Sequence, residues 1–204
     1  GIWHDPTFAA NWFASGQLYA GTEERARVVL HMETLRNLEP ISARSSEAAA
    51  YMMKAYGSAV RPVAGGVEVV FTDRAPVVSP EGVAVRFEDL FEITMIQALV
   101  REPKGMEDLA TIASVHRSRV RFAELFHRGP GGSWPHPLFE WHRRLAETPH
   151  FESYDYWLLG PARPKELAAW RSAHSAEFDA FERWITTNRP TPAAFDSKAR
   201  VLKP

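Results

Sequence analysis

The chain has 204 residues, of which 45% are hydrophobic and 24% charged, with a formal net charge of −1. That is ample chain for a packed core, and it excludes general disorder, a strongly basic nucleic-acid binder and a polycationic membrane surface. With no cysteine there are no disulfides and no thiolate chemistry, and no apolar run reaches the roughly 20 residues that a membrane helix needs.

Asp5-Pro6 is a helix-start signal, and Phe8, Trp12 and Tyr19 then recur at helical spacing up to Gly21. Thr22 caps a second helix with Glu23 and Glu24 in its first turn and a stripe of Val28, Val29, Met32 and Leu35, closing before Pro40. His31 and Glu33 lie two apart on it, about 200° round the helix from one another, and are read as incidental. A third, Ala-rich helix is expected over about Ser45 to Tyr56, stopped by Gly57.

After Arg61-Pro62 the pattern changes. Gly65-Gly66 introduces Val67–Phe71 and Gly82 introduces Val83–Phe87, two runs expected to pair as antiparallel strands. The linker between them is a wide loop or holds a short third strand at Val77-Val78. Leu90–Val100 is apolar almost all round; its composition is shared between helix and strand, and its length and the following Pro103 favour helix.

Lys104 to Arg128 is the longest helical pattern and is expected to be the element round which the rest packs. Ile112, Val115, Phe122 and Phe126 share one arc, and Arg117, Arg121, Glu124 and Arg128 the opposite one. His116, Arg119 and His127 fall inside the apolar arc. A guanidinium cannot escape burial by losing its proton, so Arg119 is expected to meet a carboxylate, with Glu88, Asp89 and Glu92 as candidates. The Gly/Pro-rich stretch Gly129–Pro137 is a surface loop, followed by a short helix at Leu138, Trp141 and Leu145 and another at Tyr154–Leu159. A last helix is expected from about Pro164 to Asn188, with His174 and Phe178 on its core face, and a loose tail from Thr191.

The expected fold is α+β and predominantly helical: about seven helices with a small antiparallel two- or three-stranded β element. One domain spans residues 1–204, with N-terminal helices in 1–60, the β element in 65–88, a helical region in 89–188 and the tail in 191–204.

Eight histidines invite a metal site, but His116 and His127, eleven residues apart on one helix, are separated by about 16 Å at 1.5 Å per residue. A site could form only by convergence, for instance of His127, His136 and His150, and no metal or cofactor is expected. Nucleophile-elbow, phosphate-loop and dinucleotide-turn motifs are absent. Arginines interleaved with Trp134 and Trp141 hint at nucleic acid, against which the near-neutral charge argues.

The order of elements, with paired helices, EAAAYMMKAYG, the VEVVF strand after a Gly pair and FEITMIQALVREPKGMEDLATI as two helices split by a Pro-Gly break, resembles mostly helical immunity proteins of bacterial polymorphic-toxin systems over roughly residues 20–185. The resemblance implies a cytosolic protein that binds and neutralises a toxin and has no catalytic residues. The leading expectation is therefore a non-enzymatic protein-binding module, with Trp134, His136, Arg143 and Arg144 as the partner-binding face. The alternative is a hydrolase with a pocket lined by His116, Arg119, His127 and His136, possible in a metal-dependent form. The expected compartment is the cytoplasm, with the periplasm left open because Gly1 is not an initiating Met.

Overall fold

A computed structural model describes residues 1–2, 4–73, 77–79, 82–84, 86–101, 105–129 and 136–191. The fold is α+β and predominantly helical. Among the described residues there are nine α-helices where about seven were expected: α1 (Ala9–Ala20), α2 (Arg25–Leu38), α3 (Ala43–Gly57), α4 (Phe87–Leu99), α5 (Ile112–Arg128), α6 (Pro137–Ala146), α7 (Phe151–Leu159), α8 (Pro164–Ala173) and α9 (Ser175–Asn188). None is long and apolar enough to cross a membrane.

The helix expected over 164–188 is two. The Nδ1–H of His174 donates to the Trp170 carbonyl at 3.0 Å, and its ring stacks on Trp170 with centroids 4.7 Å apart. The backbone turns there (φ −127°, ψ 37°), so His174 ends α8 and precedes α9, half-buried. Phe178 is buried as expected. The first helix also starts later than Pro6, because the Asp5 carboxylate accepts the backbone N–H groups of Thr7 and Phe8 and holds a turn ahead of it.

Among the described residues the β element is three separate two-stranded antiparallel ladders: β1 (Val60–Val63) with β2 (Gly66–Val69), β3 (Val77–Ser79) with β4 (Gly82–Ala84), and β5 (Val100–Arg101) with β6 (Gly105–Met106). The Val67 and Val83 runs therefore do not pair with each other. Each takes the nearest preceding strand, which is the pairing with the smallest loop to close. Pro62 sits within β1, tolerated because a two-stranded ladder has only edges, and Gly65 makes the turn at φ 91°.

The helix at the centre is α2. Every residue from Arg25 to Asn37 is buried, whereas α5 keeps a wet face. α5 begins at Ile112, where the Thr111 hydroxyl accepts the Ser114 N–H, and Gly105-Met106 is strand rather than its first turn. α1 lies against α2 so closely that a Cβ on Gly16 would stand 2.6 Å from Met32 Cε. One cluster of buried apolar side chains runs from Trp12 to Ile185. It is strongly aromatic: Phe91, Phe122, Phe126 and Phe139 meet at centroid distances of 4.4–6.4 Å, and Trp141 stacks on Trp184 at 5.3 Å.

Candidate functional site

The two sides of α2 hold different polar arrangements. On one, Glu33 is the hub of a buried network drawn from five helices. Arg119 of α5 grips it with two parallel bonds, Nη1 to Oε2 and Nη2 to Oε1, both 2.8 Å. Glu33 Oε1 also accepts from His142 Nε2 of α6 at 2.6 Å and from the Tyr154 hydroxyl of α7 at 2.8 Å. Tyr154 in turn accepts from Asn37 Nδ2 at 2.8 Å, and the Tyr56 hydroxyl of α3 accepts from Arg119 Nη1 at 3.2 Å. Because the Nε2 proton of His142 goes to Glu33, the 3.1 Å approach of Arg119 Nη2 to the same nitrogen is a contact between two donors.

Asp155 of α7 extends the network. Its Oδ1 stands 2.8 Å from Arg119 Nε, a close ion pair in which neither atom completes an aligned hydrogen bond. Its Oδ2 accepts from His116 Nδ1 at 2.8 Å. Burial alone would push the Glu33 carboxyl up, but the adjacent Arg119 and His142 outweigh it and hold Glu33 well below the usual carboxylate range. Burial opposes the charge on Arg119 too, and Asp155 and Glu33 overcome it, leaving the guanidinium more firmly protonated than usual. Burial pushes the Tyr56 hydroxyl up to about 12. The cavity bounded by Glu33, Tyr56, Phe91, Arg119, Phe139 and His142 has a volume of about 10 Å³, room for one water at most.

On the other side of α2, His31 packs edge-on against Trp12 and Tyr19 at 5.3 and 5.4 Å, and its Nδ1 has no hydrogen-bond partner. Burial, with Arg27 and His136 nearby, pulls its pKa down to about 3, so the ring is neutral. His136, whose Nδ1 accepts the Leu138 N–H at the start of α6, is likewise pulled down to about 3 by burial, with His142 adding to it.

Compared with family models, curated proteins and solved structures, the chain matches none. Among the described residues, no group of three or more His, Asp or Glu side chains is placed to hold a metal ion.

The residues expected to line a hydrolase pocket are not all brought together. His116 and Arg119 share Asp155, but His127 Nε2 bonds to the Phe139 carbonyl at 2.7 Å, and His136 lies in the aromatic layer beside Trp12 at a centroid distance of 6.2 Å. Of the residues expected to face a partner, Arg143 and Arg144 are exposed on α6. Arg143 pairs with Glu140 and Glu147, and the Arg144 guanidinium lies 5.7 Å from the Trp141 ring centre. His136, at 2% exposure, is turned inward, because its ring caps the α6 N-terminus, and Trp134 lies outside the described residues.

Arg119 is buried and met by carboxylates, as its charge requires, but they come from α2 and α7. Glu88 pairs with Arg27, Asp89 with Arg86, and Glu92 accepts the Phe71 and Thr72 N–H groups. Glu33, set aside as incidental, is the hub. His31 and Glu33 do point to opposite sides of the helix, but α2 has no wet face, so both are buried. The signal is in the sequence: Val29 and Leu30 lie about 100° and 200° round from Val28, so apolar residues encircle the helix. Asp155, inside the aromatic run Phe151–Leu159, carries the same signal.

Outside the network, the exposed face of α5 carries a shallow trough of about 470 Å³ lined by His116, Val120, Arg121, Glu124, Leu125 and Arg128, with Arg117 beside them. Arg117 pairs with Glu107, whereas Arg121, Glu124 and Arg128 make no ion pair among the described residues. His116 belongs to both regions. Its Nδ1 faces Asp155, and its Nε2 has no hydrogen-bond partner among the described residues.

Proposed function

We propose that the chain is a non-enzymatic protein-binding module, and that its partner is a toxin neutralised in the manner of an immunity protein, acting in the cytoplasm. The observation that carries the binding reading is the division of labour on α5. Its inner face is tied to α2 and α7 through Arg119, while its outer face offers Arg121 and Arg128, which have no counter-ion among the described residues. A helix so fixed meets a partner with little ordering cost, and arginines are prominent among residues that dominate binding energy. The layout of the chain supplies the toxin as partner class. Arg143 and Arg144 on α6 are further exposed cations available to the same partner.

A second reading, a hydrolase, is favoured by one observation. A buried carboxylate, Asp155, orients the His116 ring through Nδ1 while Nε2 meets no hydrogen-bond partner among the described residues, the arrangement of a general base. The two readings separate in one set of measurements. Protein retained from native-host lysate is purified and titrated against the chain, and the chain alone is assayed against ester and phosphodiester substrates. Equimolar binding without turnover is expected; turnover lost in His116→Ala would establish the hydrolase instead.

A further inference from the structure

The trough on α5 carries more chemistry than a generic contact face, and the following rests on the protein-binding reading. Arg117, Arg121 and Arg128 fall within about 40° of one another round the helix, in a row along its axis. Arg121 and Arg128 are seven residues apart, a separation of about 10 Å, or two helical turns. Half-buried Val120 and Leu125 flank this row on opposite sides, about 140° apart round the helix, and Glu124 stands within it.

We propose that this trough receives an amphipathic acidic helix of the partner protein, with carboxylates two turns apart set against Arg121 and Arg128 and apolar side chains on either side of them against Val120 and Leu125. Charge complementarity identifies the occupant. Two exposed guanidiniums without counter-ions call for anions, and their separation repeats the two-turn periodicity of a helix laid alongside. The apolar flanks match leucine or valine side chains on either side of that acidic line. A continuous phosphate backbone fits less well, since its unbroken line of charge would also lie against Glu124, which carboxylates two turns apart pass on either side. His116 stands at one edge of the trough with its Asp155-backed ring fixed in orientation, so the end of the trough nearest the α5 N-terminus is the more rigid one.

The test uses a fluorescent synthetic helical peptide with Glu at two-turn intervals and Leu between, a scrambled peptide of the same composition, and a short DNA duplex. Each is titrated into the wild-type chain, into Arg121→Glu/Arg128→Glu, and into Arg183→Glu, which reverses an exposed arginine of α9 outside the trough. The patterned peptide is expected to saturate, to bind more tightly than the scrambled one, to weaken at least about tenfold in the double reversal and to be unchanged in Arg183→Glu. All substituted side chains are exposed, and circular dichroism of each variant verifies the fold. Absence of saturable binding, or equal binding to wild type and the double reversal, overturns the proposal, and tighter binding of the duplex replaces it with a phosphate surface. If the lysate-derived partner still binds when the peptide does not, only the trough falls; if neither binds, the protein-binding reading falls with it.

Discussion

His31 and Glu33, two residues apart on α2, face opposite sides of the same buried helix and meet opposite fates. His31 sits among the rings of Trp12 and Tyr19 and is neutral, one ring nitrogen unbonded. Glu33 is ionised and receives Arg119, His142 and Tyr154. An imidazole can give up its proton at modest cost, so burial neutralises it and aromatic packing suffices. A guanidinium cannot, so wherever Arg119 goes, carboxylates must follow. Of the other arginines of α2, Arg27 follows the same rule with Glu88, whereas Arg36 departs from it: with no carboxylate partner among the described residues, it donates to the Ser45 hydroxyl and the Trp157 carbonyl at 2.6 Å each, and burial pulls its pKa down to about 10.

The largest effect that sharpens this contrast is expected from Arg119→Met. It leaves Glu33 and Asp155 buried without their counter-ion, and about 3–5 kcal/mol of stability should be lost in urea denaturation. A loss below about 1 kcal/mol would mean that water reaches the network.

Acid should next unmask the His31 side. His31 and His136 fold with pKa values of about 3 against an ordinary 6.5, so below pH 6.5 the unfolded chain takes up protons that the folded one refuses. Their stabilisation is whole above pH 6.5 and is lost between 6.5 and 3, at a slope of up to about 2.7 kcal/mol per pH unit for two sites. Glu33, with its lowered pKa, acts in the same direction below its ordinary 4.5. Tyr56 sets the alkaline limit: the unfolded hydroxyl ionises from pH 10 and the folded one near 12, so stability falls as pH rises above 10. Melting temperature against pH should thus show a plateau between about 6.5 and 10, and no fall between pH 6.5 and 4 would mean that the two histidines are protonated in the fold.

Smallest is His31→Phe. It removes an unbonded buried nitrogen and keeps a ring between Trp12 and Tyr19, so stability should change by no more than about 1 kcal/mol in either direction. A larger loss would show that the imidazole holds a bond that matters.

The same contrast explains what the sequence discloses. Element types follow from period and punctuation: α3 from its Ala-rich run, α6 from Leu138, Trp141 and Leu145, and α7 from the aromatic run before Gly160. Strand partners do not, because Val67 and Val83 carry the same alternation whichever neighbour they take. The break at His174 lies in one residue's backbone angles (φ −127°, ψ 37°), with its ring bonded to the Trp170 carbonyl and stacked on the Trp170 ring, and an apolar periodicity that runs straight through does not register it. Within the network, the burial of Arg119 and its need for a carboxylate are legible from the helical wheel, but the identity of the carboxylate is tertiary, supplied from 86 residues away in the case of Glu33. Glu33 itself was hidden by reading α2 as one-sided.

Glu33 and Arg119 act as one unit clamping α2 to α5. Chemical denaturation of Glu33→Leu, Arg119→Leu and the double variant puts this to the test. Each single change is expected to be strongly destabilising, and the double variant less so than the sum by about 2–3 kcal/mol, since each single change strands the other charge. Losses that add, or a Glu33→Leu variant as stable as wild type, would contradict it.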